Sequence, residues 1–118
     1  MVIRRWFLIP ALLATCAADS NPGPVIRAYL NGKIGAPVGS IFETLGYPTS
    51  ETDIAGHHVY LWQGSRQAII FDAGVIRLTC TIRVFTEVTG MVTYYDLDGS
   101  RDACAAFAHK IDPSFPTE

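Results

Sequence analysis

Little in this sequence marks a catalyst. It holds no G-x-S-x-G elbow, no C-x-x-C pair and no H-x-x-x-H spacing, so a hydrolase nucleophile and a zinc site both lack their usual frames. The three histidines are scattered, with no paired carboxylate evident beside them in the chain. Basic residues are scarce as well: 9 Lys and Arg stand against 11 Asp and Glu, for a formal charge of −2. Arg4 and Arg5 stand at the extreme N-terminus, and without them the balance falls to about −4. Phosphate binding depends on clustered Lys and Arg, so nucleic acid is a poor fit as a partner. Past residue 16 no stretch approaches the ~20 apolar residues of a membrane span, and there is no internal repeat or low-complexity run. A chain of 118 residues holds one domain at most.

What is present begins with a leader. Residues 1–16 read MVIRRWFLIPALLATC: a basic pair, then an apolar core from Trp6 to Ala14 that is too short to span a bilayer but has signal-peptide length. Two cleavage readings stand side by side. Leu13-Ala14-Thr15-Cys16 is similar to a bacterial lipobox, with Thr15 where Gly, Ala or Ser is usual, and would make Cys16 the lipidated first residue. Alternatively an ordinary signal peptidase cuts after Cys16 or Ala18 and releases a soluble protein. Three cysteines in an exported chain leave one odd thiol. Lipidation of Cys16 removes it and leaves Cys80 and Cys104 as a disulfide pair. Ala17 after the cysteine carries no Asp-type inner-membrane retention signal, so the expected destination is the outer membrane, facing the periplasm.

Residues 17–24 (AADSNPGP) are small, polar and rich in Pro and Gly, a linker. A domain is expected over 25–112 and a short tail over 113–118. Val25 to Leu30 reads as a short helix stopped by Asn31-Gly32. A second helix runs from Pro37 to Gly46, with Val38, Ile41, Phe42 and Leu45 at i, i+3, i+4, i+7. Tyr47 to Gly56 reads as loop. His57 to Gln63 and Gln67 to Phe71 read as separate short strands. Val75 to Thr86 alternates strictly, with Ile76, Leu78, Cys80, Ile82 and Val84 on one face and Arg77, Thr79, Thr81, Arg83 and Phe85 on the other. Glu87 to Gly90 turns the chain into a returning strand, Met91 to Leu97. Ser100 caps a last helix with Asp102 in its first turn, and Cys104, Phe107, Ala108 and Ile111 form its inner stripe.

The fold class is therefore α+β: two short N-terminal helices, an antiparallel sheet of three to four strands, and a C-terminal helix tied to the sheet by Cys80 and Cys104. Cys80 marks the face under the helices. Arg77, Arg83 and Phe85 mark the other, the expected partner-binding surface, which Tyr95 is assigned to join; the phase of Tyr60, Trp62 and Tyr94 is open. Arg and aromatics suit such a role. His57-His58 is a weak metal candidate, because neighbours on a strand point to opposite faces. Asp96 to Asp102 has the carboxylates of half a calcium loop but no later Glu to complete it. No metal or cofactor is expected.

The motifs also carry a family likeness. G-x-P-V-x-x-I-F-x-x-L-G-Y-P runs from Gly35 to Pro48, V-Y-L-W from Val59 to Trp62, and C-x-I-x-V-x-x-x-x-x-G-x-V from Cys80 to Val92. With the lipobox-like leader, this resembles the small outer-membrane lipoproteins of the BamE (SmpA/OmlA) type, whose fold is that of the beta-lactamase inhibitory protein repeat; the Cys80/Cys104 pair points to a diverged branch. The resemblance implies a non-catalytic accessory factor that binds another envelope protein or complex. The alternative is a soluble periplasmic inhibitor or accessory subunit. Oligomeric state is left open.

Overall fold

The computed structural model describes residues 21–116 apart from residue 73; the leader, Cys16 and the last two residues lie outside the described residues. Three helices and one sheet follow in the order α1 (Pro22–Asn31), α2 (Gly39–Leu45), β1 (Ser50–Ile54), β2 (His57–Ile70), β3 (Gly74–Thr86), β4 (Val92–Gly99) and α3 (Arg101–Ile111). The strands form an antiparallel meander, β1-β2-β3-β4, and all three helices lie on one side of it. The α+β class and the disulfide-tied terminal helix are as the sequence predicts.

Local chemistry sets the helix ends. Asn21 accepts from the Gly23 amide at 3.2 Å, and Pro22 begins the helix where a missing N–H costs nothing. The helix thus starts inside the expected linker. Ser100 caps α3 by accepting from the Ala103 amide at 3.2 Å, with Asp102 in the first turn and His109 and Lys110 in the last. Both charges complement the helix dipole. In α2, Pro37 stands just outside the helix, in an isolated bridge with Met91. Only seven residues long, α2 depends on packing. The indole of Trp62 donates to the Gly46 carbonyl at 2.9 Å and so fixes its C-terminal end to the sheet.

The core lies between sheet and helices. Ile26 and Leu30 of α1, Ile41 of α2, and Cys80, Ile82 and Val84 of β3 are wholly buried. Phe107 of α3 lies over Gly64, where an added Cβ would stand 3.3 Å from its ring, so the strand offers its one side-chain-free position to the crossing helix. Cys80 and Cys104 are joined, with Cα atoms 5.0 Å apart. Beyond α3, Phe115 folds back and is buried, its carbonyl meeting His109 Nδ1 at 2.8 Å. Phe115 of the expected tail is thus part of the core.

Two strand boundaries differ from the sequence reading. Ser50 to Ile54 pairs with His57 to Leu61 and is a strand, not a loop; every residue of it is exposed, so no alternating apolar pattern announces it. The two short strands expected over 57–71 are one strand of 14 residues. Gly64 does not interrupt it, because β3 pairs with it continuously from His58↔Thr86 to Ile70↔Gly74.

Candidate functional site

Register settles which side chains share a face. Phe85 pairs with Val59 and Tyr94, and Arg83 with Leu61 and Asp96, so these stand together on the side without helices. Phe85 and Tyr94 stack with centroids 5.4 Å apart, and Tyr94 is 59% exposed. Val59 is buried on this side although no helix covers it. Arg83 lies 3.6 Å from Asp96, both well exposed, a pair worth at most about 1 kcal/mol. Arg77 is on the same side further along β3, its Nη1 3.4 Å from Ser65 Oγ. The helix-free face is thus a shallow apolar patch of Val59, Leu61, Phe85 and Tyr94, edged by Arg83 and Asp96.

Tyr95 is elsewhere. It pairs with Val84 on the helix side, and its hydroxyl donates to Asn31 Oδ1 at 2.9 Å, locking α1 to β4. Tyr60 and Trp62 are also on the helix side, packed edge-on to Phe42 of α2. Of the four aromatics whose phase the sequence leaves open or assigns to the binding face, only Tyr94 lies with Arg83 and Phe85. In β4 a bulge sets the phase: Thr86 pairs with Val92 while Phe85 pairs with Tyr94, so Thr93 is the extra residue that resets the alternation.

A second feature is an arm. β1 stops pairing at Leu61 and β4 at Cys80, but β2 and β3 continue as a two-stranded hairpin to Ile70 and Gly74. Its end is strongly apolar and open to solvent: Phe71 is 101% exposed, Ile69 81% and Val75 61%, with Ile70 and Ile76 also exposed. Pairing places Ile69 and Val75 on one side and Ala68 and Ile76 on the other. Such a hairpin is marginal unaided, and a cluster of exposed large apolar side chains marks a contact surface. The sequence shows the apolar residues but not the arm, since an exposed I-I-F run reads like a buried strand.

At the opposite end of the sheet His58 is held by two carboxylates that sequence order conceals. Its Nε2 lies 2.8 Å from Glu51 Oε1 and its Nδ1 2.8 Å from Asp53 Oδ1, and the imidazolium form donates to both. The bond to Glu51, then that to Asp53, raises its pKa above the ordinary imidazole value. Both ring nitrogens thus lie within hydrogen-bond distance of a carboxylate oxygen. The apparent lack of a paired carboxylate is therefore corrected: β1 supplies two. Among the described residues no group of three or more His, Cys, Asp and Glu is placed to hold a metal ion, and no helix is long and apolar enough to cross a membrane. Asp96 and Asp98 pair with Arg83 and Thr81 and so stand on the helix-free side of the sheet.

No family model, no curated protein and no solved structure matches the chain.

Proposed function

We propose that the chain is a non-catalytic accessory factor of the bacterial envelope, held at the periplasmic face of the outer membrane by a lipid on Cys16, and that it binds another envelope protein or complex through its helix-free sheet face. The observation that carries this reading is that face itself. A four-stranded sheet has one side sealed by three helices and the other left bare, with Phe85, Tyr94 and Leu61 on it and Arg83 at its edge. Aromatic and Arg side chains are over-represented at interface hot spots. The disulfide supports export, since such bonds persist in oxidising compartments, and the resemblance of the motifs to BamE-type lipoproteins supports the anchor and the accessory role.

Two measurements test the two halves. Labelled palmitate should enter the wild-type chain and not the Cys16→Ala variant; equal labelling of both sinks the anchor and leaves the soluble periplasmic alternative. A photo-crosslinker at position 83 or 85 in living cells should capture one envelope protein. Capture from another surface and none from this face would move the interface.

A further inference from the structure

The arm and the chain's entry point lie at the same end of the fold. Asn21 and Pro22 line a hollow with Leu97, Gly99 and Cys104, and Gly99 pairs with Cys80, where β4 ends and the arm departs. From there α1 runs away from the arm: the Tyr95 hydroxyl reaches Asn31, and Gly35 donates to the Val92 carbonyl at 2.8 Å. Asn21, the first described residue, therefore stands at the end of the body from which the hairpin projects. From Cys16 to Asn21 is five residues, at most about 18 Å when fully extended. From its root at Cys80 to Gly74 the arm spans about 20 Å at the rise of a strand, with Phe71 and Asp72 further out. A lipid on Cys16 would hold the body closer to the bilayer than the arm is long.

We infer that the arm's apolar tip, Ile69, Ile70, Phe71 and Val75, inserts into the lipid surface to which the chain is tethered. This rests on the lipid-anchor reading above. Two features favour lipid over a protein groove. The tip is apolar on both sides of the hairpin rather than on one, as immersion requires and one-sided docking does not. Behind it, Arg66 and Arg77 flank the arm on opposite sides, since Arg66 pairs with Leu78 and Arg77 with Gln67. Arg77 lies about 13 Å behind Phe71 at strand rise, the depth of headgroup phosphates when the tip sits some 5–10 Å into the interface. The hollow at the far end of the body, lined by Glu51, Asp53 and Glu87, is turned away from an anionic surface. Insertion is shallow for two reasons. The outer edges of the arm carry unpaired backbone groups that hydrocarbon does not tolerate, and Asp72 stands at the turn.

The test uses protein purified from the membranes of expressing cells and reconstituted in vesicles of phosphatidylethanolamine and phosphatidylglycerol, three to one, with brominated acyl chains. The Phe71→Trp variant should be quenched several-fold more strongly than the same vesicles quench the wild type, whose Trp62 is buried. Tyr94→Trp, on the helix-free face, should resemble the wild type. Replacing Arg66 and Arg77 with Gln should reduce the quenching at position 71 on these vesicles. Intact mass reads the lipid on Cys16 independently. Lipidated protein with an unquenched Trp at position 71 overturns the inference while leaving the anchor standing, whereas quenching without lipid supports the arm and removes the anchor. Sedimentation as a dimer that Phe71→Asp converts to monomer would assign the tip to a second copy and overturn the lipid contact. Since Phe71 is fully exposed, these variants fold.

Discussion

Opening the Cys80–Cys104 bridge should cost a sizeable share of the domain's margin of stability. The bond closes a loop of 25 residues between partners 24 apart in sequence. Chain-entropy arithmetic puts that closure at about 3.5 kcal/mol at 25 °C. The two sulfurs also fill the core, where Cys80 is wholly buried and Cys104 nearly so. Replacing both with Ala adds roughly 1 kcal/mol for each lost buried group. Reduction of the wild type should therefore remove about 3.5 kcal/mol and the double Ala variant about 5.5. A domain this size has only some 5–14 kcal/mol to lose. The loss should be global, because α1 packs chiefly on α3 and is held through it. Urea unfolding of oxidised, reduced and double-Ala protein separates the entropic part from the packing part. In heat the reduced form should melt about 15–25 °C lower. A loss under ~1 kcal/mol on reduction would refute the reasoning, since it would mean that Phe107, Ala108 and Phe115 hold α3 without the bond and that the unfolded chain gains little freedom.

Three further outcomes follow from single residues. His58 faces Glu51 and Asp53 of β1, Tyr60 of its own strand, and Glu87 across the hollow they share; its folded-state pKa is raised. Its stabilisation should therefore be fully present below about pH 6.5, the unfolded value, and be lost as pH rises through the folded value. Urea midpoints at several pH values should show this slope in the wild type, and His58→Gln should flatten it. Gly99→Ala should cost about 3 kcal/mol or more: its Cβ would stand 2.5 Å from Cys80 Cα and from the Thr79 carbonyl, at φ +147. Gly35→Ala, at φ +88 in open space, should cost only about 1 kcal/mol, and equal midpoints for the two would contradict the clash. Trp62→Phe removes the bond to the Gly46 carbonyl and should destabilise by roughly 2–4 kcal/mol, with hydrogen exchange rising first in α2.

What the sequence makes legible is whatever repeats with a period or sits at a cap. β3 alternates from Leu78 to Thr86 because one side is sealed and the other is not, and that alternation alone places Cys80 under α3. Ser100 and Asp102 announce α3 by a local hydrogen bond and a local charge. β1 leaves no such mark: it is exposed on every residue and is a strand only because β2 offers an edge, a tertiary effect that no window of residues contains. The grip on His58 is hidden for the same reason, since Glu51 and Asp53 reach it only once β1 has docked. Tyr95 is a failure of phase. Its side is set by the bulge at Thr93, and a bulge is a property of the pair of strands, not of either one. The arm fails differently. Its composition suggests burial, and only the early endings of β1 and β4 expose it.

The place of the disulfide takes on a further meaning once the arm is in view. Cys80 is the residue at which β3 leaves the four-stranded sheet and becomes the arm, and Cys104 lines the hollow where the chain enters at Asn21. The bond therefore joins the root of the arm to the neighbourhood of the tether. In a chain held by lipid at Cys16, any pull on the body arrives through Asn21 and α1, and α1 rests on α3. Without the bond, α3 is held to the sheet by apolar contacts and backbone bonds such as the Ser100 amide to the Thr79 carbonyl. With the bond, α3 and the arm's root move as one body. That arrangement fixes α3 relative to the arm's root, and with it the end of the body at which Asn21 stands. If the chain is held at a membrane as proposed, a covalent link at this position would keep the arm and α3 in one orientation to it.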